Sequence, residues 1–206
     1  MILRGAALKT RDLWSQSTIS DRINDVGQKP DRNNRQGEYE HVLIALGANL
    51  PSSFGTPLQT LEAAVTELVK RGVGVRAKSR WFRSEPVPAS SQDWYINGVV
   101  SIDTSLEAPE LLELLHDIEA EFGRVRGERN AARVLDLDLV AYGNLVRQDQ
   151  GPPEIPHPRM HDRAFVLLPL ADIAPDWVHP VTGVGLEALI QRIPADQVAE
   201  PLPENS

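Results

Sequence analysis

Two aspartates and the arginines before them are the part of the sequence best equipped for chemistry. Residues 124–140 carry four arginines and then Asp136 and Asp138, which lie two positions apart. In a strand, side chains two positions apart share a face, so these carboxylates would lie side by side while the alternating leucines face a core. Paired carboxylates are ligands for a hard divalent cation such as Mg²⁺, and guanidinium groups suit the oxygens of a polyphosphate. The stretch therefore predicts transfer of a phosphoryl-type group from a nucleotide.

Both features also have plainer interpretations. The aspartates could be solvated carboxylates on an edge strand, because short acidic motifs are common. The arginines could form surface ion pairs with Glu119, Glu121 and Glu128. Such pairs contribute only about 0–1 kcal/mol each and would not explain why the arginines cluster. The neighbouring leucines and arginines together favour the metal and phosphate interpretation.

A second group of residues indicates a pocket for a flat ligand. Asn97 follows Tyr95 by two positions and would share its face of a strand. A buried asparagine needs hydrogen-bond partners, and a heterocyclic ligand could supply them. Tyr95 and Phe165 fit equally well as core aromatics, and His157 fits as a packed or capping histidine.

The elements that must position these residues follow from the apolar pattern. A strand begins at His41 and ends in a turn at Gly47-Ala48-Asn49, and two helices are indicated by apolar residues at helical spacing. We predict the order strand, helix, strand, strand, helix, strand, which is the split βαβ pattern. The fold class is therefore α+β: a ferredoxin-like βαββαβ sandwich with a mostly antiparallel sheet and C-terminal additions. The remaining elements are predicted as strands at 73–82, 95–104 and around the aspartates, and as short helices at 166–173 and 186–193.

Composition excludes several classes of protein. The chain has 206 residues, a net charge of −8 and a pI of about 5.1, which argue against a general nucleic-acid or membrane-surface binder. It contains no cysteine, so it has no disulfide frame or thiolate metal site. No apolar run approaches the roughly 20 residues of a membrane span, and the N-terminus lacks the apolar core of a signal peptide. We expect a cytoplasmic protein without nucleic-acid or membrane partners.

A series of short motifs extends these observations along the chain. The motifs are Gly47-Ala48-Asn49, Tyr95-x-Asn97, Phe122-Gly123-Arg124-x-Arg126, Arg129-x-Ala131-Ala132-Arg133-x-x-Asp136-Leu137-Asp138-Leu139-Val140, Pro156-His157-Pro158-Arg159-Met160 and Arg163-Ala164-Phe165-Val166-Leu167-x-Pro169-Leu170. In their order and spacing, they resemble the family of 6-hydroxymethyl-7,8-dihydropterin pyrophosphokinases. The resemblance covers about 42–193 and departs from the family pattern at Ser84, Asn130 and Pro158 and in a shorter arginine loop.

The resemblance implies a complete reaction. Such enzymes transfer the β,γ-diphosphate of ATP to the hydroxymethyl group of the dihydropterin and release AMP, in folate biosynthesis. ATP and hydroxymethyldihydropterin would be the partners, two Mg²⁺ ions would be the cofactors, and the protein would act as a monomer. Residues 39–206 would form the pyrophosphokinase domain with a short polar C-terminal tail, and 1–38 would be a flexible N-terminal extension.

The resemblance also implies roles for particular residues. Asp136 and Asp138 would bind the metal ions. The catalytic group would comprise Arg124, Arg133, Asp136 and Asp138. The nucleotide would be bound by Glu119, Arg126, Arg133, His157 and Arg163. The pterin would be bound by Gly47, Asn49, Ser84, Val87, Tyr95, Asn97 and Phe165, with the two aromatic side chains enclosing its ring.

Two other functions remain as alternatives. A metal-dependent nucleotidyl- or glycosyltransferase could use the same aspartate pair, but the sequence contains neither of the usual glycine-rich phosphate loops. A module that only binds a pterin or a nucleotide would not need both aspartates. Release of inorganic pyrophosphate, or binding without turnover, would identify these alternatives.

Overall fold

The computed structural model describes residues 42–124, 131–148 and 151–203. The predicted N-terminal extension, Arg126 and Asn130 lie outside these ranges. Among the described residues, no helix is long and apolar enough to cross a membrane. The elements are β1 (Val42–Ala48), α1 (Pro57–Lys70), β2 (Gly74–Lys78), β3 (Phe82–Ser84), β4 (Tyr95–Asp103), α2 (Ala108–Glu121), β5 (Asp136–Tyr142), α3 (Ala164–Ile173), α4 (Leu186–Ile190) and β6 (Ala199–Pro201).

The strands form one antiparallel sheet that is covered by helices on both faces. The strand order is β5-β1-β4-β3-β6, and β2 pairs with the other end of β4. The predicted α+β fold with a mostly antiparallel sheet is confirmed. Helix α1 begins where Thr56 and Gln59 form a capping box, in which each side chain bonds the other's backbone.

Each face of the sheet is covered by its own hydrophobic cluster. Helices α1 and α2 pack on one face, where their leucines meet Leu135, Leu137 and Leu139. Helices α3 and α4 pack on the other face, around residues such as Leu43 and Val140. Because side chains alternate along β5, Asp136 and Asp138 point to the face of α3. The alternation of aspartates and leucines therefore places the carboxylates and the core as the sequence predicts.

The predicted strand 73–82 is wrong as a single element. Strand β2 ends at Lys78, and β3 begins at Phe82. Between them, the hydroxyl of Ser79 accepts a hydrogen bond from the Val99 backbone N–H at 3.0 Å. A side chain thus replaces a backbone acceptor at this point, and regular pairing with β4 is interrupted.

The C-terminal region contains a strand that its polar composition does not predict. Strand β6 pairs with the short strand β3, with Ala199 opposite Ser84 and Glu200 opposite Arg83. An ion pair of 2.7 Å joins the Arg83 and Glu200 side chains. The tail therefore forms the edge of the sheet next to the loop that follows β3.

Candidate active site

Gly47 brings three strands close together at the centre of the site. It lies within β1, opposite Asp136 of β5 and Asn97 of β4. The predicted turn at Gly47 is therefore wrong, because the strand continues to Ala48. A Cβ atom on Gly47 would lie 3.0 Å from Asn97 Oδ1. Glycine thus leaves room on one face of the sheet between the asparagine amide and the carboxylate.

Three arginines surround the two carboxylates. Arg133 Nη1 and Arg124 Nη1 lie 2.5 Å and 2.7 Å from Asp136 Oδ1. Arg163 Nη1 lies 3.8 Å from Asp138 Oδ2. We call Asp136, Asp138 and these three arginines the carboxylate side of the site. All five residues come from three different parts of the chain, so the fold assembles the charge cluster.

The charges of this cluster are not fully compensated. Burial and the neighbouring Asp136 raise the pKa of Asp138. Burial and the neighbouring Arg159 lower the pKa of Arg163. A cation near the aspartates would reverse the first effect, and an anion near Arg163 would reverse the second. The cluster therefore offers carboxylates to a cation and guanidinium groups to an anion.

Glu119 supports the carboxylate side through its contacts with Leu137 and Arg124. Its side chain on α2 is 4% exposed, accepts the Leu137 backbone N–H at 2.6 Å and forms an ion pair with Arg124. Burial raises its pKa to about 7, although the Leu137 bond and Arg124 act in the opposite direction. Glu119 thus holds the backbone between the two aspartates and also holds one of their arginines.

A pocket with aromatic walls adjoins the carboxylates. Asn97 Nδ2 donates to Ser84 Oγ at 2.8 Å, and both side chains are buried. The Tyr95 hydroxyl lies 3.2 Å from the Ala131 carbonyl. We call Ser84, Tyr95, Asn97 and Phe165 the aromatic side of the site. The pocket is lined by Gly47, Ser84, Glu85, Pro86, Val87, Pro88, Tyr95, Asn97, Arg133, Asp136, Asp138, Arg159, Arg163 and Phe165.

Asn49 links the two sides without lining the pocket itself. Its Oδ1 accepts the Arg133 backbone N–H at 2.7 Å, and its own backbone N–H donates to the Arg133 carbonyl at 3.0 Å. Its Nδ2 donates to the Asp93 carbonyl at 3.1 Å. Asn49 therefore fixes the backbone before β5 to the loop before β4.

His157 and Arg159 complete the basic region. His157 is predicted to bind the nucleotide but does not line the pocket. Burial, Arg163 and Arg159 lower its pKa to about 4, so its imidazole is neutral at neutral pH. Arg159 does line the pocket, and the sequence interpretation gives it no role. Arg159 belongs to the motif around His157, and that position is a sequence signal for a site residue. Only the fold shows that Arg159 lies near Arg163.

Most predicted site residues converge on one place. Asn49, Glu119, Arg124 and His157 do not line the pocket, and Arg126 lies outside the described residues. The predicted residues that line the pocket are Gly47, Ser84, Val87, Tyr95, Asn97, Arg133, Asp136, Asp138, Arg163 and Phe165.

The donor set fits Mg²⁺ that is shared with a phosphate ligand. The described residues contain no cluster of three or more acidic or histidine side chains able to hold a metal by themselves. Mg²⁺ is commonly held by one or two carboxylates, substrate phosphates and water. Asp136 and Asp138 supply the protein's share of such a site. Arg133 and Arg163 line the same pocket as the two aspartates, and guanidinium groups bind phosphate oxygens.

An α+β sandwich with this pocket, carboxylate pair and arginine cluster defines a nucleotide-dependent group transferase. Residues 43–175 match the model of the 7,8-dihydro-6-hydroxymethylpterin-pyrophosphokinase family. A 2-amino-4-hydroxy-6-hydroxymethyldihydropteridine pyrophosphokinase of Synechocystis is 44% identical over 74% of this chain and 75% of that protein. The protein of the same name from Haemophilus influenzae is 39% identical over 72% of this chain and 90% of that protein.

Longer relatives contain the same region. A folic acid synthesis protein of Pneumocystis carinii is 36% identical over 81% of this chain, which spans 22% of that protein. The crystal structure of the Plasmodium falciparum HPPK-DHPS protein has a TM-score of 0.53 and 13% identity, covering 74% of this chain and 40% of that chain. That likeness supports the fold alone.

The chain belongs to the 7,8-dihydro-6-hydroxymethylpterin-pyrophosphokinase family. It is therefore an enzyme with pyrophosphokinase activity in folate biosynthesis, and ATP is its co-substrate.

Proposed function

We propose that the aromatic side binds 6-hydroxymethyl-7,8-dihydropterin and that the carboxylate side receives ATP, so that the β,γ-diphosphate passes to the hydroxymethyl oxygen and AMP is released. The observation that carries this proposal is the row Asn97, Gly47 and Asp136 across three neighbouring strands. It sets an amide-lined aromatic pocket directly beside a carboxylate pair on the same face of the sheet.

The aromatic side has the chemistry to recognise a pterin. Phe165 and Tyr95 supply aromatic surfaces, and stacking of this kind contributes about 0.5–1.5 kcal/mol per pair. Asn97 offers an amide to the polar edge of the ring, held in place by its bond to Ser84. Backbone groups around Ser84 and Val87, which line the same pocket, complete the edge contacts in this proposal.

The arginines have the chemistry to hold a polyphosphate. Arg133, Arg159 and Arg163 line the pocket, and guanidinium groups bind phosphate oxygens through paired hydrogen bonds. Arg124 does not line the pocket and is paired with Glu119 and Asp136. We assign these arginines to the phosphates, Glu119 to the support of Arg124, and neutral His157 to hydrogen bonding near the same anion.

Asp136 and Asp138 would hold the metal ions, for which we propose two Mg²⁺. When bound, Mg²⁺ supplies charge neutralisation on the phosphates and a lower pKa for the attacking hydroxyl. The carboxylates themselves are the groups best placed to accept the hydroxyl proton as the oxygen attacks the β-phosphorus. We further propose a monomeric enzyme, because one chain supplies every residue assigned to this reaction.

The reaction distinguishes this proposal from its alternatives. Purified protein incubated with ATP, Mg²⁺ and hydroxymethyldihydropterin should form AMP and the pterin diphosphate in equal amounts. Ion-exchange chromatography of the nucleotides identifies whether AMP or ADP is the product. ADP or inorganic pyrophosphate as the product would reject the proposed transfer, and light scattering would test the monomer.

A further inference from the structure

The C-terminal segment 197–202 touches both walls of the pocket, although the proposed reaction gives it no role. Gln197 contacts the wall that carries Arg163 and Phe165. Its Oε1 accepts the Ala164 backbone N–H at 2.9 Å, and its Nε2 donates to the Asp162 carbonyl at 2.7 Å. These two backbone groups flank Arg163. The glutamine amide thus binds this stretch as the peptide group of a neighbouring strand would.

The start of α3 depends on this contact. Arg163 is the N-cap residue of α3, has an extended backbone at φ −116° and ψ 110°, and makes no capping hydrogen bond with its side chain. The first N–H groups of a helix need acceptors from elsewhere. Gln197 supplies one from 33 positions further along the chain. It therefore fixes the backbone from which the Arg163 and Phe165 side chains project.

The residues that follow Gln197 hold the opposite wall. The Val198 carbonyl accepts the Glu85 backbone N–H at 3.3 Å, and Ala199 lies opposite Ser84 in the pairing of β6 with β3. Ser84 in turn accepts the hydrogen bond from Asn97. One short segment thus joins the Phe165 wall to the wall formed by β3 and the loop after it.

We propose that Gln197 is a positioning residue for the pterin, which sets the Phe165 wall at the correct distance from the Ser84 and Asn97 wall. This inference rests on the proposed function. A planar ring needs both walls at a fixed separation, and small displacements of binding groups are costly. Among the arginines assigned to the phosphates, Arg163 projects from the wall that Gln197 holds, whereas Arg124 and Arg133 are carried by the C-terminal end of α2 and the residues before β5. Loss of the Gln197 contacts should therefore weaken pterin binding strongly and ATP binding to a smaller degree.

The test compares two glutamines of the same region. Gln197→Met keeps the length of the side chain and removes both hydrogen bonds, whereas Gln191→Met changes an exposed glutamine at the end of α4. We expect Gln197→Met to raise the KM for hydroxymethyldihydropterin about tenfold and to raise the KM for ATP by a smaller factor of about two to three, through Arg163. Gln191→Met should match the wild type in both. AMP formation at varied concentrations of each substrate measures these constants.

A graded variant separates positioning from general damage. Gln197→Asn keeps the amide but shortens the side chain by one methylene, which weakens both hydrogen bonds, so its KM for the pterin should lie between those of the wild type and Gln197→Met. An equal rise in both KM values, or no rise in either, would overturn the inference. If Gln197→Met does not fold, Gln197→Asn decides by the same criterion. A wild-type protein that forms no AMP would reject the proposed function, whereas normal wild-type turnover with unaffected Gln197 variants would reject this inference alone.

Discussion

The two sides of the site are held together by different forces. On the aromatic side, Asn97 and Ser84 are bonded to each other and are only 5% and 2% exposed. On the carboxylate side, Arg124 and Arg133 are 22% and 27% exposed and are paired with Asp136. The hydrogen bond between Asn97 and Ser84 joins two neutral, buried side chains. The ion pairs of Asp136 use the groups that we assign to the metal ion and the phosphates.

This difference indicates that the pterin site and the ATP site are preformed to different degrees. A pterin can enter the aromatic side while the Asn97 and Ser84 bond stays in place. ATP and Mg²⁺ require an exchange of partners, because the arginines must move from Asp136 to the phosphates while the metal ion takes the carboxylates. We infer that the aromatic side is already formed in the free enzyme and that the carboxylate side is completed by its ligands.

Removal of an aspartate should have the largest effect on turnover. It should impair the carboxylate side and leave pterin binding by the aromatic side nearly unchanged. We expect Asp136→Asn to lower kcat by about 10³-fold, because bound metal supplies several kcal/mol of charge stabilisation in the transition state. Pterin affinity, measured by fluorescence titration, should stay within about threefold of the wild type, since the aromatic side does not depend on this charge. Asp176→Asn, at an exposed position, is the matched control. Near-normal turnover by Asp136→Asn would remove the metal role.

Arg133 tests the exchange of partners directly. Arg133→Met removes the guanidinium contact with Asp136, while the backbone bonds between residue 133 and Asn49 can remain. We expect kcat/KM for ATP to fall by about 100-fold, because hydrogen bonds to charged groups contribute up to about 3 kcal/mol. Without ATP, the variant should bind Mn²⁺ more tightly than the wild type, because one competing cation is gone.

The exposed Arg192 provides the control for that variant. Arg192→Met should bind ATP and Mn²⁺ as the wild type does. Weaker Mn²⁺ binding by Arg133→Met than by the wild type would contradict the exchange of partners.

The sequence predicts best where local periodicity decides. The alternation of Asp136, Leu137 and Asp138 gives both the strand and its two faces, because side-chain direction in a strand depends only on neighbouring positions. Apolar spacing likewise predicts α1 and α2. The charge cluster is partly predictable for the same reason, because Arg133 lies three positions from Asp136.

The sequence predicts poorly where distant contacts decide. Gly47 is compatible both with a turn and with a close approach of strands, and only the position of Asn97 distinguishes these cases. Ser79 interrupts a strand by bonding a residue 20 positions away. The pairing of β6 and the approach of Arg159 to Arg163 also depend on the assembled fold, and short polar segments carry no periodicity that reveals such contacts.

Glu119 should give the carboxylate side a dependence on pH that the aromatic side lacks. Its pKa rises from an ordinary 4.5 to about 7 in the folded protein, so the folded state holds the proton more tightly than the unfolded state. Its contribution to stability is full below pH 4.5 and is lost as the pH rises through about 7. Relative to Glu119→Gln, the wild type should lose on the order of 2 kcal/mol of unfolding free energy between pH 5 and pH 8.

The measurement is urea unfolding of both proteins at the two pH values. Both proteins contain the same histidines, so the difference between variant and wild type cancels the histidines' contribution to the pH dependence of stability. Among them, His157 has a lowered pKa and acts in the direction opposite to Glu119. Ser84→Ala, which breaks the neutral bond to Asn97, should destabilise the protein equally at both pH values. A difference between Glu119→Gln and the wild type that does not change with pH would contradict the raised pKa.

Phe165 should show the smallest effect, and it tests whether the aromatic side acts by itself. Phe165→Leu keeps an apolar residue in α3 but removes the ring and its contact with Arg163, whose guanidinium carbon lies 5.2 Å from the ring centroid. Stacking contributes about 0.5–1.5 kcal/mol, so the KM for the pterin should rise about three- to tenfold while kcat changes little. Phe54→Leu, in an aromatic pair with Phe122 outside the pocket lining, is the control. A fall in kcat as large as that of Arg133→Met would mean that the ring helps to orient Arg163 on the phosphates, and the two sides would then work as one unit.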